Sequence, residues 1–178
     1  MADNVKEEIV VRHRKTMSMI LYVIFMFTAM LSALIGSISL MGIVSPSGFD
    51  PYSLVMLVIF GGGAILLWFR KDYLRVEYEY SFTNGVVDIS QVLNNRRRKE
   101  LVSFKTREVE IVASIDDPKL IGIEKRPNLK KIKAVLNADS EIYFAGFRKN
   151  ETQYLLYFEP SKEFLKLMRM YNERSVIL

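Results

Sequence analysis

Between Met17 and Val44 the chain carries no charged side chain, and between Tyr52 and Phe69 it again carries none. A bilayer core about 30 Å thick takes roughly 20 mostly apolar residues to cross as a helix. The first run exceeds that length and the second just meets it. Between them, Ser45-Pro46-Ser47-Gly48-Phe49-Asp50-Pro51 is short and rich in turn formers. The expectation is a membrane α-helical hairpin, with spans at 17–44 and 52–69 joined by a loop at 45–51. A cleaved leader is the competing reading of the first run, but the apolar part of a signal peptide usually covers about 7–15 residues. This run is far longer and no small-x-small cleavage site follows it.

Orientation follows from charge. Arg12, Arg14 and Lys15 precede the first run, Arg70, Lys71 and Arg75 follow the second, and the loop holds only Asp50. Cytoplasmic flanks are enriched in Lys and Arg. Residues 1–16 therefore read as a basic cytoplasmic N-terminal flank, the loop as extracytoplasmic, and both termini as cytoplasmic at a plasma (inner) membrane. Small residues recur at Ala29, Ala33 and Gly36, and again at Gly61, Gly62 and Gly63. In lipid such residues let helix backbones approach closely, within one hairpin, in a homo-oligomer or onto a partner's span. Neither run contains an ionisable group, which argues against an ion path or proton relay.

From Asp72 the composition turns mixed. Leu74, Val76, Tyr78, Tyr80 and Phe82 alternate with charged and polar residues, the mark of a half-buried strand. Thr83-Asn84-Gly85 follows, and Asn-Gly between alternating runs signals a hairpin. Val86–Leu93 reads as the returning strand, with further strands near Lys99–Phe104, Val109–Ala113, Lys131–Leu136, Ile142–Phe147 and Gln153–Phe158. The stretch 119–130 is ambiguous, because Gly122 and Pro127 interrupt it. After Pro160 and Ser161 the period becomes helical, with Phe164, Leu165, Met168 and Tyr171 on one face.

This layout, with the run Tyr78-x-Tyr80-x-Phe82-Thr83-Asn84-Gly85, the basic Arg96-Arg97-Arg98-Lys99 and the closing Tyr157-Phe158-Glu159-Pro160, resembles that of uncharacterised bacterial two-pass membrane proteins with a cytoplasmic pleckstrin-homology-like (PH-like) domain. The resemblance implies a mainly-β domain at 72–178, of about seven antiparallel strands in two packed sheets with one C-terminal helix. In that wider fold the usual role is to bind a phosphorylated lipid headgroup or a protein. Phosphoinositide-binding relatives carry basic residues at the first hairpin turn, whereas Thr83-Asn84-Gly85 carries none, which counts against specific inositide recognition.

Chemistry for catalysis is sparse. His13, the only histidine, lies in the N-terminal flank, there is no cysteine, and no phosphate-loop motif occurs. Asp116-Asp117 before Pro118 reads as a turn rather than a metal site, and Glu77 and Glu79 as solvated strand positions. The reading is a non-enzyme with no cofactor and no metal. The candidate contact with anionic lipid headgroups is Arg70 and Lys71 together with Arg96, Arg97, Arg98 and Lys99. A strand of ten residues rises about 33 Å, so the return strand brings the arginine run back toward the depth of Arg70. Basic residues near an anionic leaflet contribute about 1 kcal/mol each. A solvated turn screened by Glu100 explains the run equally well, and protein docking is the third alternative. Lys125, Arg126, Lys130, Lys131 and Lys133 form a second basic group, read as an exposed loop or a docking edge. No nucleic-acid partner is expected despite the net charge of +5, since no aromatic platform interleaves with the arginines. The functional expectation is a binding or scaffold module at the inner leaflet, with an accessory subunit of a transporter or envelope enzyme as the alternative.

Overall fold

The computed structural model describes residues 4–44 and 49–178. Residues 45–48 of the expected loop, Ser47 among them, and residues 1–3 of the N-terminal flank lie outside the described residues. The chain divides into two compact units: one of residues 14–76 with 93–95, the other of residues 1–13, 77–92 and 96–178.

The first unit is a pair of helices, each long and apolar enough to cross a membrane. α1 is Lys15–Ile43 and α2 is Pro51–Leu74, of 29 and 24 residues. At 1.5 Å per residue they are about 43 and 36 Å long; α1 nearly matches its expected span, and α2 runs past its own mainly at the C-terminal end, to Leu74. Asp50 caps α2: its carboxylate accepts from the backbone N–H of Tyr52 and Ser53 and from the Ser53 hydroxyl. Those bonds, the Ser53 hydroxyl first, hold Asp50 below the usual carboxylate range. Pro51 takes the first helical position, where its missing N–H costs nothing. Leu57–Gly61 is a π turn inside α2, an irregularity of the kind that re-aims a helix. There Gly36 of α1 meets Gly61: a Cβ on Gly36 would lie 3.1 Å from the Gly61 nitrogen and 3.2 Å from its Cα. Ala29 and Ala64 are buried in the same seam.

The second unit holds two four-stranded sheets. β1 (Val5–Val10), β2 (Val76–Thr83), β3 (Val86–Leu93) and β4 (Arg97–Lys105) form one in the order β1-β2-β3-β4. β5 (Val109–Ser114), β6 (Leu129–Ala134), β7 (Tyr143–Lys149) and β8 (Thr152–Phe158) form the other, in the order β5-β7-β8-β6. α3 (Lys119–Glu124) lies between β5 and β6, in the stretch the sequence left ambiguous, and α4 (Lys162–Tyr171) closes the chain. Phe164, Leu165 and Met168 of α4 are buried, and Phe164 meets Tyr80 and Phe82 edge-on at 6.2 and 5.9 Å. Ser161 caps α4 through the Phe164 N–H. The hairpin turns hold Asn84, Asn94, Asn95 and Asn150 at positive φ, as tight turns between twisted strands require. Gly85, at φ +91°, has a second constraint, since a Cβ there would run into the Tyr171 ring.

Two expectations are corrected. Among the described residues there are eight strands rather than about seven, because Val5–Val10 within the supposed flank pairs antiparallel along β2, from Val5 opposite Thr83 to Val10 opposite Tyr78. Its consecutive charges Lys6, Glu7 and Glu8 hide the alternation, and an edge strand tolerates them. The domain therefore draws on both sides of the helical pair and is not confined to 72–178. Nor are the strands all antiparallel: β6 runs parallel to β8. Its three lysines suit an edge, while the apolar β7 and β8 take the interior. The C-terminal tail, unplaced from sequence, buries Val176 and bridges it to Val112.

Candidate functional site

Among the six predicted lipid-contact residues the structure separates two kinds. Arg96, Arg97, Arg98 and Lys99 are exposed at the start of β4. Arg98 is engaged, its guanidinium 2.6 Å from the Glu79 carboxylate on β2, so Glu79 is a partner rather than a merely solvated position. Among the described residues Arg96, Arg97 and Lys99 have no ion pair. Arg70 is exposed at the end of the apolar helix, but Lys71 is only 5 % exposed. Its ammonium sits 4.0 Å from the centroid of the Trp68 ring and 3.2 Å from Asp72. Lys71 is thus an internal tie, and the contact set loses one of its members.

That tie belongs to a junction the sequence did not reveal. The Arg75 guanidinium lies over the Tyr22 ring of α1 at 3.9 Å. Asn94, in the β3–β4 turn, donates from its side chain to Asp72 at 2.9 Å and from its backbone N–H to the Arg75 carbonyl at 2.8 Å. The turn Leu93–Asn95 therefore belongs to the same unit as the helices. Charge-assisted bonds are about twice as strong as neutral ones, and cation–π contacts add about 0.5–2 kcal/mol each. The last turn of α2 and Arg75 just after it thus hold the turn that precedes the arginine run.

Of the predicted helix-packing residues, Gly36, Gly61 and Ala29 lie in the seam between α1 and α2. Gly62 and Gly63 do not: a Cβ at either would meet nothing within 4 Å, since the two glycines follow the π turn and face elsewhere. Ala33 is exposed and, with Ala29 and Ala64, lines an apolar hollow of about 270 Å³ walled by Trp68 and Phe69.

A second polar cluster ties the N-terminal strand down. Asn137, 5 % exposed, accepts from the His13 N–H at 2.8 Å and donates to the Val11 carbonyl at 3.0 Å. The buried Glu159 carboxylate takes the Asn137 N–H and side-chain amide, at 2.8 and 3.0 Å, and also the Leu136 N–H. The Tyr80 hydroxyl donates to the Ala134 carbonyl and accepts from the Glu159 N–H. Burial pushes the Tyr80 phenol far above its ordinary value. Glu8 accepts from the backbone and hydroxyl of Ser161. Every member is satisfied, as a buried network must be if it is not to destabilise. The visible hint was Glu159-Pro160-Ser161 ahead of the helix; Asn137 gave none.

The other sequence candidates take structural places. Asp117 accepts from the Lys119 N–H at 2.8 Å and starts α3, and among the described residues no cluster of His, Asp or Glu is arranged to hold a metal. The second basic group is partly strand: Lys130, Lys131 and Lys133 stand on β6. Arg126 pairs with Glu110 at 2.5 Å and Lys131 with Glu124 at 2.7 Å.

No curated protein and no solved structure matches the chain. A family model described as bacterial PH-like domain (DUF6106) matches residues 2–178. The match takes in the N-terminal strand, both apolar helices and the two sheets with their C-terminal helix; the chain belongs to this bacterial PH-like family.

Proposed function

We propose that the chain is a two-pass plasma-membrane protein whose PH-like domain is cytoplasmic, is held at the inner leaflet and binds rather than catalyses. Both termini lie in the cytoplasm, and Arg96, Arg97 and Lys99, with Arg70, meet anionic headgroups. The observation that carries this reading is the tie of the β3–β4 turn to Asp72, in the last turn of the second apolar helix, and to Arg75 just after it. Arg96 follows Asn95, so covalent geometry keeps its Cα within about 8 Å of that of Asn94. Arg96, the first of the run, is thereby kept within covalent reach of that turn, and an anionic surface contributes about 1 kcal/mol per basic residue close to it. The test uses the full chain in nanodiscs with a fluorophore on Arg97→Cys, which is the only thiol. Quenching by nitroxide headgroups should be stronger in anionic than in neutral lipid and fall as salt rises. Equal, salt-insensitive quenching contradicts the headgroup contact.

The accessory-subunit reading has one observation in its favour: Gly62 and Gly63 are small and lie outside the α1–α2 seam, with nothing within 4 Å of a Cβ at either, while Ala33, another of the small residues, is exposed. Photo-crosslinkers at these positions in native membranes that capture only lipid and other copies of this chain would remove it.

A further inference from the structure

Away from the core between the sheets, the opposite face of the β5-β7-β8-β6 sheet carries its own apolar cluster. Ile111, Phe144, Leu155 and Tyr157 lie there, closed over by Ile123 of α3. α3 has only six residues, too few to cover the face. The uncovered part is a hollow of about 640 Å³ with Leu120, Val135, Leu136 and Ile142 on its walls. Lys131 and Lys133 line it from β6 and Glu124 from α3; two apart on a strand, the lysines share one face.

The polar groups are organised. One Glu124 oxygen accepts from the Tyr157 hydroxyl and from the Lys131 ammonium, each at 2.7 Å. The Lys131 bond, then that of Tyr157, holds Glu124 below its usual range, while burial and then Glu124 push the Tyr157 phenol up. A lysine carries three donors, so Lys131 has two unspent. The Lys133 carbonyl accepts from the Tyr78 hydroxyl, but its ammonium has no hydrogen bond or ion pair among the described residues. Next to the hollow, Leu136 and Ala138 flank Asn137, which grips the His13 N–H, and His13 is two residues ahead of the first apolar helix.

We propose that this hollow binds a single-chain acidic amphiphile, a long-chain carboxylic acid drawn from the membrane, with its carboxylate on Lys131 and Lys133 and its chain along the apolar wall. Sites of roughly 300–1,000 Å³ bury one drug-sized ligand, which leaves room for one chain rather than a two-chain phospholipid. The supply of ligand rests on the membrane placement proposed above, but the site does not involve the arginine run.

The probe is palmitate with a terminal diazirine, added to the full chain in neutral phosphatidylcholine nanodiscs, with labelled residues mapped by mass spectrometry. Labelling is expected on the 115–142 segment, displaced by palmitate and not by hexadecanol. Lys133→Glu and Ala138→Trp, both at exposed positions, should each lower it at least tenfold, by charge and by filling. Serine at Arg96–Lys99 should leave it unchanged, so failure of the headgroup contact is read separately. Labelling spread along the spans only, equal displacement by hexadecanol, or less than a twofold change in both variants overturns the site.

Discussion

Replacing Asn137 with alanine isolates the tie between the N-terminal strand and the rest of the domain. The side chain makes three hydrogen bonds, to the His13 N–H, the Val11 carbonyl and Glu159, at 2.8, 3.0 and 3.0 Å. An unsatisfied buried group costs about 1–3 kcal/mol. The His13 N–H and Val11 carbonyl are near solvent and recover part of that from water, whereas Glu159 is buried. A net local cost of about 2–3 kcal/mol follows. At 1.4 kcal/mol per tenfold, the opening of β1 should rise roughly 30- to 140-fold. Hydrogen exchange on the full chain in detergent reads this directly from the backbone amides of Val5–Val10, with β7 and β8 as internal controls. Slow exchange of β1 in the unaltered chain, accelerated in Asn137→Ala while β7 and β8 stay protected, is the expected result. If β1 exchanges at the rate of free peptide in the unaltered chain, or is unmoved by the substitution, the argument for a pinned eighth strand is refuted.

Gly36→Val, which sets a branched side chain against the Gly61 backbone at 3.1–3.2 Å, should weaken the α1–α2 pair by about 1–3 kcal/mol in detergent-titrated resonance energy transfer. Gly63→Ala, with open space around its Cβ, should match or exceed the unaltered pair, by up to about 1 kcal/mol. Tyr80 has a folded pKa raised above its unfolded value of about 10, so its contribution is complete below pH 10 and is lost as pH rises further. Tyr80→Phe should therefore flatten the alkaline fall in melting temperature, at the expense of stability at pH 7 through the lost bond to the Ala134 carbonyl. In the nanodisc quenching assay with the fluorophore moved to Glu100→Cys, Arg97→Ser should weaken headgroup contact more than Arg98→Ser, because Arg98 is already engaged by Glu79.

Local chemistry explains how much of the fold was legible. The hairpin at Asn84-Gly85 and the return strand Val86–Leu93 were readable because period-two alternation and an Asn-Gly turn both act over a few residues. The C-terminal helix was readable for the same reason, from Ser161 and the stripe Phe164, Leu165 and Met168. β1 was not, since its pairing to β2 spans some seventy residues and its charges resemble a basic flank. The parallel placement of β6 depends on which strand can bear three lysines at an edge, a competition between strands that no single segment displays. At the candidate contact, exposure of the arginine run followed from composition, whereas burial of Lys71 against Trp68 required a neighbour from tertiary packing. Gly62 and Gly63 misled because a π turn just before them changes the face they present, and π turns have no sequence mark.

In the proposed arrangement two apolar helices anchor a PH-like domain on the cytoplasmic side of a membrane. Single cysteines at Phe49 and at Asn150, in a chain with no other thiol, test it through labelling of intact cells with a membrane-impermeant maleimide. Phe49→Cys should label on intact cells, Asn150→Cys should label only after permeabilisation, and the protein should stay with the membrane in alkaline carbonate. Labelling of Asn150→Cys from outside, or release of the protein by carbonate, contradicts the arrangement.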